Sequence, residues 1–283
     1  MTILMTGSHG FVGTNLIEAF ETTYNIIRWD AREDKPLPEC DVVIHLAGLA
    51  HDTKHTIETE KYFEVNTELT KRIYDRFLES KAKKFIFFSS IKAKDADTAY
   101  AKSKKQAENY ILNTVFTDDT DKRFYILRPC MIHGKGNKGN LNLLVKWVKE
   151  GWPWPLAAFE NKRSFASMEN VSFIVEQLIK KDVESEVYEI CDDEPVSTNE
   201  LIGIISGYTG NRAKLLRIPR SFMKAFAKFG DWMQLPLNSE RLGKLTENNV
   251  VDNRKIKSAL CICNLPVKAI EGLKYSVECL IKD

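Results

Sequence analysis

No apolar run in this 283-residue chain approaches the length that crosses a bilayer, and no internal repeat or low-complexity segment interrupts it. A membrane-spanning anchor and a repeat architecture are thereby excluded as readings of the sequence. An excess of charge of one sign is also missing. The formal net charge is only +2, which argues against strong electrostatic attraction to nucleic acid or to an anionic membrane. Cysteines are few and scattered, at Cys40, Cys130, Cys191, Cys261, Cys263 and Cys279. Cys261 and Cys263 are the one close pair, and they lack the second ligand pair that a zinc site needs. Free thiols and no metal are expected, in a chain that looks cytoplasmic. With a strand predicted to start at residue 2, no signal peptide is expected before it. What is present, 43% hydrophobic and 28% charged residues, suits one large domain or two small ones.

The first stretch, Thr2 to Gly13, reads TILMTGSHGFVG. Ile3, Leu4 and Met5 predict a short buried parallel strand, and a helix with Leu16, Ile17 and Phe20 on one face follows. Between them stand Gly7, Gly10 and Gly13 in the spacing G-x-x-G-x-x-G. Glycines there allow a tight turn, close approach of backbone to a pyrophosphate and close helix–strand packing. The helix start adds unpaired N–H groups and a positive dipole end. Three glycines alone are weak evidence, but in the order strand, glycines, helix they point to a dinucleotide.

Asn25 to Asp30 predicts a second strand ending in an acid. Asp30 lies where a carboxylate would bind the adenosine ribose, which favours NAD over NADP. Arg28 and Arg32 are close enough to serve a 2′-phosphate instead, so NADP stays open. Only about ten residues, with Pro36 and Pro38 among them, separate Asp30 from the next strand, Asp41 to Leu46. The usual crossover helix is therefore expected to be short or missing. Ala47-Gly48 ends that strand with side chains small enough to pass a cofactor. His45 and His51 flank it and are assigned no role.

Leu69, Ile73 and Phe77 mark an amphipathic helix over roughly Glu64 to Ser80, and Lys84 to Phe88 another buried strand. That strand runs into Ser89-Ser90. Ten residues on, Tyr100 and Lys104 stand four apart on a predicted helix, which stacks them on one face. The Lys104 ammonium is expected to lower the pKa of the Tyr100 phenol. Ser90 sits at the carboxyl end of a parallel strand, where such folds place ligands. Tyr-Lys pairs are also common surface chemistry, but the nucleotide motif upstream favours catalysis.

Further strands are predicted at Phe124 to Leu127 and Val187 to Cys191, with Ser197 or Thr198 capping a helix near Glu200. The apolar positions Phe222, Phe226, Phe229, Trp232 and Met233 could form a membrane-surface helix. Asp231 with Pro219 and Pro236 makes packing in a small domain the expectation.

Together TGSHGFVG, SSIK, YAKSK, RPCMIHGKGNKGNL, NKRSFASMENV, VVDNRKIKSAL and LPVKAIEGL resemble the extended short-chain dehydrogenase/reductases of the NAD-dependent epimerase/dehydratase family, essentially end to end. UDP-glucose 4-epimerases and the 4-keto reductases of UDP-N-acetyl-quinovosamine-type sugars are similar, the latter more so around GNKGNL and PWPLAAFENKRS. The resemblance implies an α/β fold, a Rossmann-like doubly wound parallel sheet with a smaller C-terminal α/β substrate domain. Residues 1–133 and 165–193 would bind the dinucleotide, and 134–164 and 194–283 the nucleotide sugar. It implies Tyr100 as acid/base, Lys104 as its partner on the nicotinamide ribose, and Ser90 on the substrate oxygen. Gly7, Gly10, Phe11, Val12, Gly13, Asp30, Ala47, Gly48, Lys104 and Pro129 would surround the cofactor. Asn140, Leu141, Arg163 and, more weakly, Arg241 would take the uridine diphosphate. The activity implied is oxidoreduction at carbon 4 of a UDP-linked sugar for surface polysaccharide synthesis, a 4-keto reductase ahead of a 4-epimerase. A non-catalytic dinucleotide-binding regulator is the remaining alternative. A homodimer stays open, and neither nucleic acid nor membrane insertion is implied. Three departures stand out: a short Ser90–Tyr100 interval, His133 in place of a usual tyrosine, and Cys263-Asn264 in place of Gly-Trp.

Overall fold

The computed structural model describes residues 1–32, 35–50, 57–114, 121–137, 139–211, 213–233 and 238–282. Its strands are β1 (Thr2–Thr6), β2 (Asn25–Trp29), β3 (Val42–His45), β4 (Lys84–Phe88), β5 (Arg123–Pro129), β6 (Met131–His133), β7 (Phe165–Ser167) and β8 (Glu186–Ile190). Six of them form one parallel sheet in the order β2-β1-β3-β4-β5-β8, while β6 and β7 pair separately. Every residue of β3 and β4 is buried, as expected of parallel strands covered on both faces.

The helices are α1 (Phe11–Phe20), α2 (Thr59–Tyr62), α3 (Leu69–Glu79), α4 (Ala99–Leu112), α5 (Asn140–Lys149), α6 (Met168–Lys180), α7 (Thr198–Thr209), α8 (Arg220–Met233), α9 (Ser239–Thr246), α10 (Arg254–Leu260) and α11 (Ala269–Lys282). One π-helical turn, Phe63–Glu68, joins α2 to α3. The alternation of side chains along the strands splits the core into two layers. Leu4, Val43, Phe85, Phe87 and Ile126 pack with Ile73, Tyr74 and Phe77 of α3 and with Ala107 and Ile111 of α4. The alternate residues Ile3, Met5, Ile44, Ile86 and Leu127 are buried as well, as are Leu16 and Ile17 of α1 and Ile174 and Val175 of α6. The described residues between β2 and β3 contain no helix, in keeping with the short, proline-bearing connection.

The chain divides into two compact units. The first comprises 1–130, 170–191 and 252–264, and the second 131–169, 192–251 and 265–283. Residues 252–264, expected in the C-terminal portion, pack instead with the first unit. Ile256 and Leu260 of α10 are buried there, and Asn253 Nδ2 donates to the Cys191 carbonyl at 3.0 Å. The second unit has its own core from α5, α7, α8, α9 and α11, including Val145, Val148, Ile202, Ile205, Ala227 and Leu273. Ser197 and Glu200 close a capping box at the start of α7.

The expectation that the α8 aromatics are core residues is corrected. Met223, Ala227 and Gly230 are the buried positions, whereas Phe222 is 61% exposed and Trp232 78%, with Phe226, Phe229 and Met233 also exposed. The smaller side chains let the helix lie close to its core and turn the aromatic stripe outward.

Candidate active site

The loop after β1 meets the loop after β3. Gly7 has φ +66°, and a Cβ there would lie 2.6 Å from the Ala47 nitrogen, so only glycine permits this approach. A Cβ on Gly13 would lie 2.5 Å from the Gly7 carbonyl oxygen, which is how closely α1 sits on its loop. Gly10 is the N-cap of α1 and carries no side chain, and no acid occupies the first turn, where Phe11 and Val12 are half-buried. The N–H groups of that turn thus face a cradle that can take a pyrophosphate. It lies at the carboxyl ends of β1 and β3, where the strand order reverses.

Thr6 and His45 fasten this crossing. Thr6 Oγ1 accepts from the N–H groups of Leu46 and Ala47 at 3.2 and 3.1 Å and pairs with His45 Nδ1 at 2.8 Å. His45 also pairs with Thr70 Oγ1 at 3.0 Å, and burial pushes its pKa down to about 3. It is a neutral structural residue. His51 lies outside the described residues.

Asp30 follows the end of β2 and is gripped by Arg32. The guanidinium gives 2.9 Å to Oδ1 and 2.6 Å to Oδ2, and the Arg32 N–H gives 3.0 Å to Oδ1. These bonds hold the carboxyl at a pKa of about 2. Both partners are exposed, so the pair is a local clamp at the edge of the sheet.

Ser90 stands two residues beyond β4 and caps a short 3₁₀ turn, Ile91–Ala93. Tyr100 occupies the first turn of α4, which Thr98 caps through the Ala101 N–H at 3.2 Å. The structure brings the two together: the Ser90 side chain lies near enough to the Tyr100 phenol to favour its ionised form. Lys104, one turn on, donates to the Phe88 carbonyl at 2.9 Å and sits 4.9 Å from the Phe87 ring centroid. Burial pulls Lys104 down to about 8. Burial also pushes the Tyr100 phenol up, opposed by the neighbouring Ser90 side chain and reinforced by Tyr62, whose ring meets it edge-on. The expected lowering of Tyr100 by Lys104 is therefore not found. Four-residue spacing puts both on one face, but the Lys104 side chain reaches the end of β4, and the Tyr100 hydroxyl turns to Ser90.

Two buried groups that sequence reasoning missed hold this set. Asn66, in the π-helical turn, accepts from Leu49 N–H at 2.8 Å and donates to the Leu49 carbonyl at 3.2 Å and to Ser103 Oγ at 3.1 Å. It ties the loop after β3 to α4, and π turns recur at functional sites. Gly48 completes the contact, since a Cβ there would stand 2.8 Å from Asn66 Oδ1 and 3.2 Å from Lys104 Nζ. The available signal was Asn66, Thr70 and Tyr74 at four-residue spacing, a polar line running into a buried tyrosine. The second group is Glu108, fully buried on α4, which accepts from Ser89 Oγ at 2.6 Å and from both Arg128 Nε and Nη2. Pro129 follows Arg128 and is buried at the end of β5.

The expected diphosphate residues all lie in the second unit. Asn140 opens α5, and its side chain lies outside the described residues. Leu141 is 1% exposed and belongs to the apolar core, so its side chain is no ligand contact and only its backbone N–H remains eligible. Arg163 gives Nη1 to the Lys244 carbonyl at 2.6 Å and is half-buried, while Arg241 is exposed on α9. His133, the odd residue of its motif, is buried, with Nδ1 at 2.8 Å from Ser276 Oγ and Nε2 at 3.5 Å from Asp192 Oδ2.

Residues 3–191 match the model of the NAD dependent epimerase/dehydratase family. The chain belongs to that family. It is 28% identical to a UDP-glucose 4-epimerase of Vibrio cholerae, covering 99% of this chain and 96% of that one. It is 26% identical to an Escherichia coli O157:H7 N-acetyl-alpha-D-glucosaminyl-diphospho-ditrans,octacis-undecaprenol 4-epimerase, over 77% and 75% of the two chains. A Pseudomonas aeruginosa UDP-2-acetamido-2,6-beta-L-arabino-hexul-4-ose reductase is 31% identical over 51% of this chain and 39% of its own. Among solved structures, UDP-glucuronic acid 4-epimerase from Bacillus cereus in complex with NAD superimposes with TM-score 0.75 at 18% identity, covering 100% and 99% of the two chains. The fold is thus the Rossmann-like α/β fold of this family, and the chain is an NAD-dependent enzyme of it. The glycine cradle and the acid-free start of α1 fit such a cofactor. No described helix is long and apolar enough to cross a membrane.

Proposed function

We propose that this enzyme reduces the 4-keto group of a sugar diphosphate, in the first place a UDP-linked sugar of surface polysaccharide synthesis. The first unit would hold the dinucleotide, and the second the substrate. Bound NAD in its reduced form supplies the hydride to carbon 4. The observation that carries the reading is the gathering of Ser90, just beyond β4, with Tyr100 and Lys104 of α4. Lys104 ties α4 to the end of β4 through the Phe88 carbonyl at 2.9 Å, and all three lie in the same unit as the glycine cradle. Tyr100 would give its proton to the developing alkoxide at carbon 4, while Ser90 holds the same oxygen. Lys104 would hold the nicotinamide ribose. Arg163 and Arg241 would meet the diphosphate, for which a planar guanidinium is suited.

Two features favour reduction. Burial pushes the Tyr100 phenol up, which suits a group that gives a proton. Between Ser90 and Tyr100 the chain makes only one short 3₁₀ turn, a poor lid for a keto sugar that must stay and rotate. The second reading, a 4-epimerase, draws on the relative matched along 99% of this chain. The Escherichia coli relative acts by name on a sugar diphosphate carried by undecaprenol, so a lipid-borne sugar diphosphate belongs to the class considered. The six free cysteines suit a cytoplasmic enzyme.

Incubation with UDP-N-acetylglucosamine and UDP-glucose without added reductant separates the readings. A reductase leaves both unchanged and oxidises NADH only with a 4-keto sugar. Conversion to the galacto epimers at enzymatic rates would overturn the reductase and establish the epimerase.

A further inference from the structure

Apart from Met1 and Leu112, every exposed large hydrophobic residue among those described belongs to the second unit, and α8 with the segment before it carries the densest set. At about 100° per residue, Phe222, Phe226, Phe229 and Met233 fall within one narrow stripe of α8, with Trp232 on its margin. The Phe229 and Trp232 rings lie 5.9 Å apart. None of these residues serves the core, which uses Met223, Ala227 and Gly230 on an adjacent stripe. Leu215 and Leu216, also exposed, continue the surface N-terminally, where Leu216 N–H donates to the Trp154 carbonyl at 2.8 Å.

Charge decides what this surface fits. Residues 213–233 contain Lys214, Arg217, Arg220, Lys224 and Lys228 against the single acid Asp231, a net +4 on a chain whose total is +2. The Asp231 carboxylate is itself engaged, accepting from the N–H and the hydroxyl of Ser239. Lys228 borders the aromatic stripe on the side away from Met223 and Ala227, with Lys224 beyond it. A helix lying in an interface needs this arrangement: rings in the acyl boundary, ammonium groups reaching back to phosphates.

We propose that α8 and its leading segment seat the enzyme on an anionic phospholipid bilayer, as a peripheral contact with no chain crossing it. The complementary partner is negative and apolar at once, which a lipid surface is. A second copy docked face to face would set Lys224 and Lys228 against the same two, an arrangement that repels, while Arg220 gives Nε to the Ala158 carbonyl at 2.8 Å. The inference does not depend on whether the site reduces or epimerises.

The test is co-sedimentation of the full chain with vesicles of three parts phosphatidylcholine to one part phosphatidylglycerol, beside vesicles of phosphatidylcholine alone. Binding is expected to the anionic vesicles and to fall with salt. Lys224→Glu/Lys228→Glu and Phe222→Ser/Phe229→Ser should each weaken it by about tenfold or more. Thermal unfolding of both variants should stay at the wild-type temperature, since neither pair is buried. Absence of binding to anionic vesicles would overturn the proposal. So would unchanged binding by both variants, or a concentration-dependent dimer abolished by Phe222→Ser/Phe229→Ser in a protein that ignores vesicles.

Discussion

Lys104 donates its ammonium to the carbonyl of Phe88, 2.9 Å away, and so binds the helix that carries Tyr100 to the end of the strand that leads to Ser90. The strand end and the helix face are thereby held in one register, at the cost of burying a charged group. Burial brings the Lys104 pKa from 10.5 to about 8.

That cost has a pH signature. Between about 8 and 10.5 the unfolded chain holds the Lys104 proton more firmly than the folded one, so this residue's contribution to stability rises with pH across that window. Lys104→Met should be inactive yet more stable than wild type at pH 7 by about 2 kcal/mol, the desolvation relieved less one lost hydrogen bond. The advantage should vanish near pH 10.5. Urea unfolding of both proteins at pH 7 and pH 10 measures it, and a difference independent of pH would refute the buried ammonium as its source.

Tyr100→Phe keeps the ring and removes the hydroxyl that meets Ser90. Turnover should fall by about 10²–10⁴-fold, with NAD affinity and unfolding temperature nearly unchanged. A variant retaining a tenth of wild-type turnover would remove Tyr100 from the proposed chemistry.

Gly48→Ala places a methyl group against Asn66 Oδ1 and Lys104 Nζ. Asn66 cannot yield easily, because Leu49 and Ser103 hold its amide on both sides. The expected result is a destabilisation of about 1–3 kcal/mol together with weaker NAD binding. Calorimetry with and without NAD reads both effects, and a neutral substitution would show the Asn66 contact to be loose.

Asp30, the carboxylate proposed for the adenosine ribose, is held by Arg32. Wild type should prefer NAD. Asp30→Ala removes the carboxylate and releases the guanidinium for a 2′-phosphate, so it should shift preference toward NADP by about tenfold or more. Competition binding with the two cofactors decides. Tighter NADP binding by wild type would mean that Arg32 already governs the pocket.

Glu108→Gln leaves Arg128, nearly as buried, without its counter-charge. A loss of about 3 kcal/mol is expected by urea unfolding, with Arg128→Met in the same chain restoring part of it. No restoration would show that the pair is not energetically coupled.

Much of this was legible from short-range pattern. The run Ile3 to Met5, the glycines after it and the helical stripe of Leu16, Ile17 and Phe20 determine a strand, a turn and a helix through local sterics and burial alone. Tyr100 and Lys104 on one helix face follow from helical period in the same way, as does the shortened link after Asp30 from its prolines and length. Tertiary structure decided what period cannot express. The ammonium of Lys104 goes to Phe88 and the hydroxyl of Tyr100 to Ser90 because β4 ends there. Asn66 becomes a buried clamp because a π turn rotates it toward Leu49 and Ser103. Residues 252–264 return to the first unit, and the α8 aromatics face outward because smaller residues beside them fill the core. An amphipathic pattern fixes that a helix has faces, but which face a core claims depends on the shape of what it packs against.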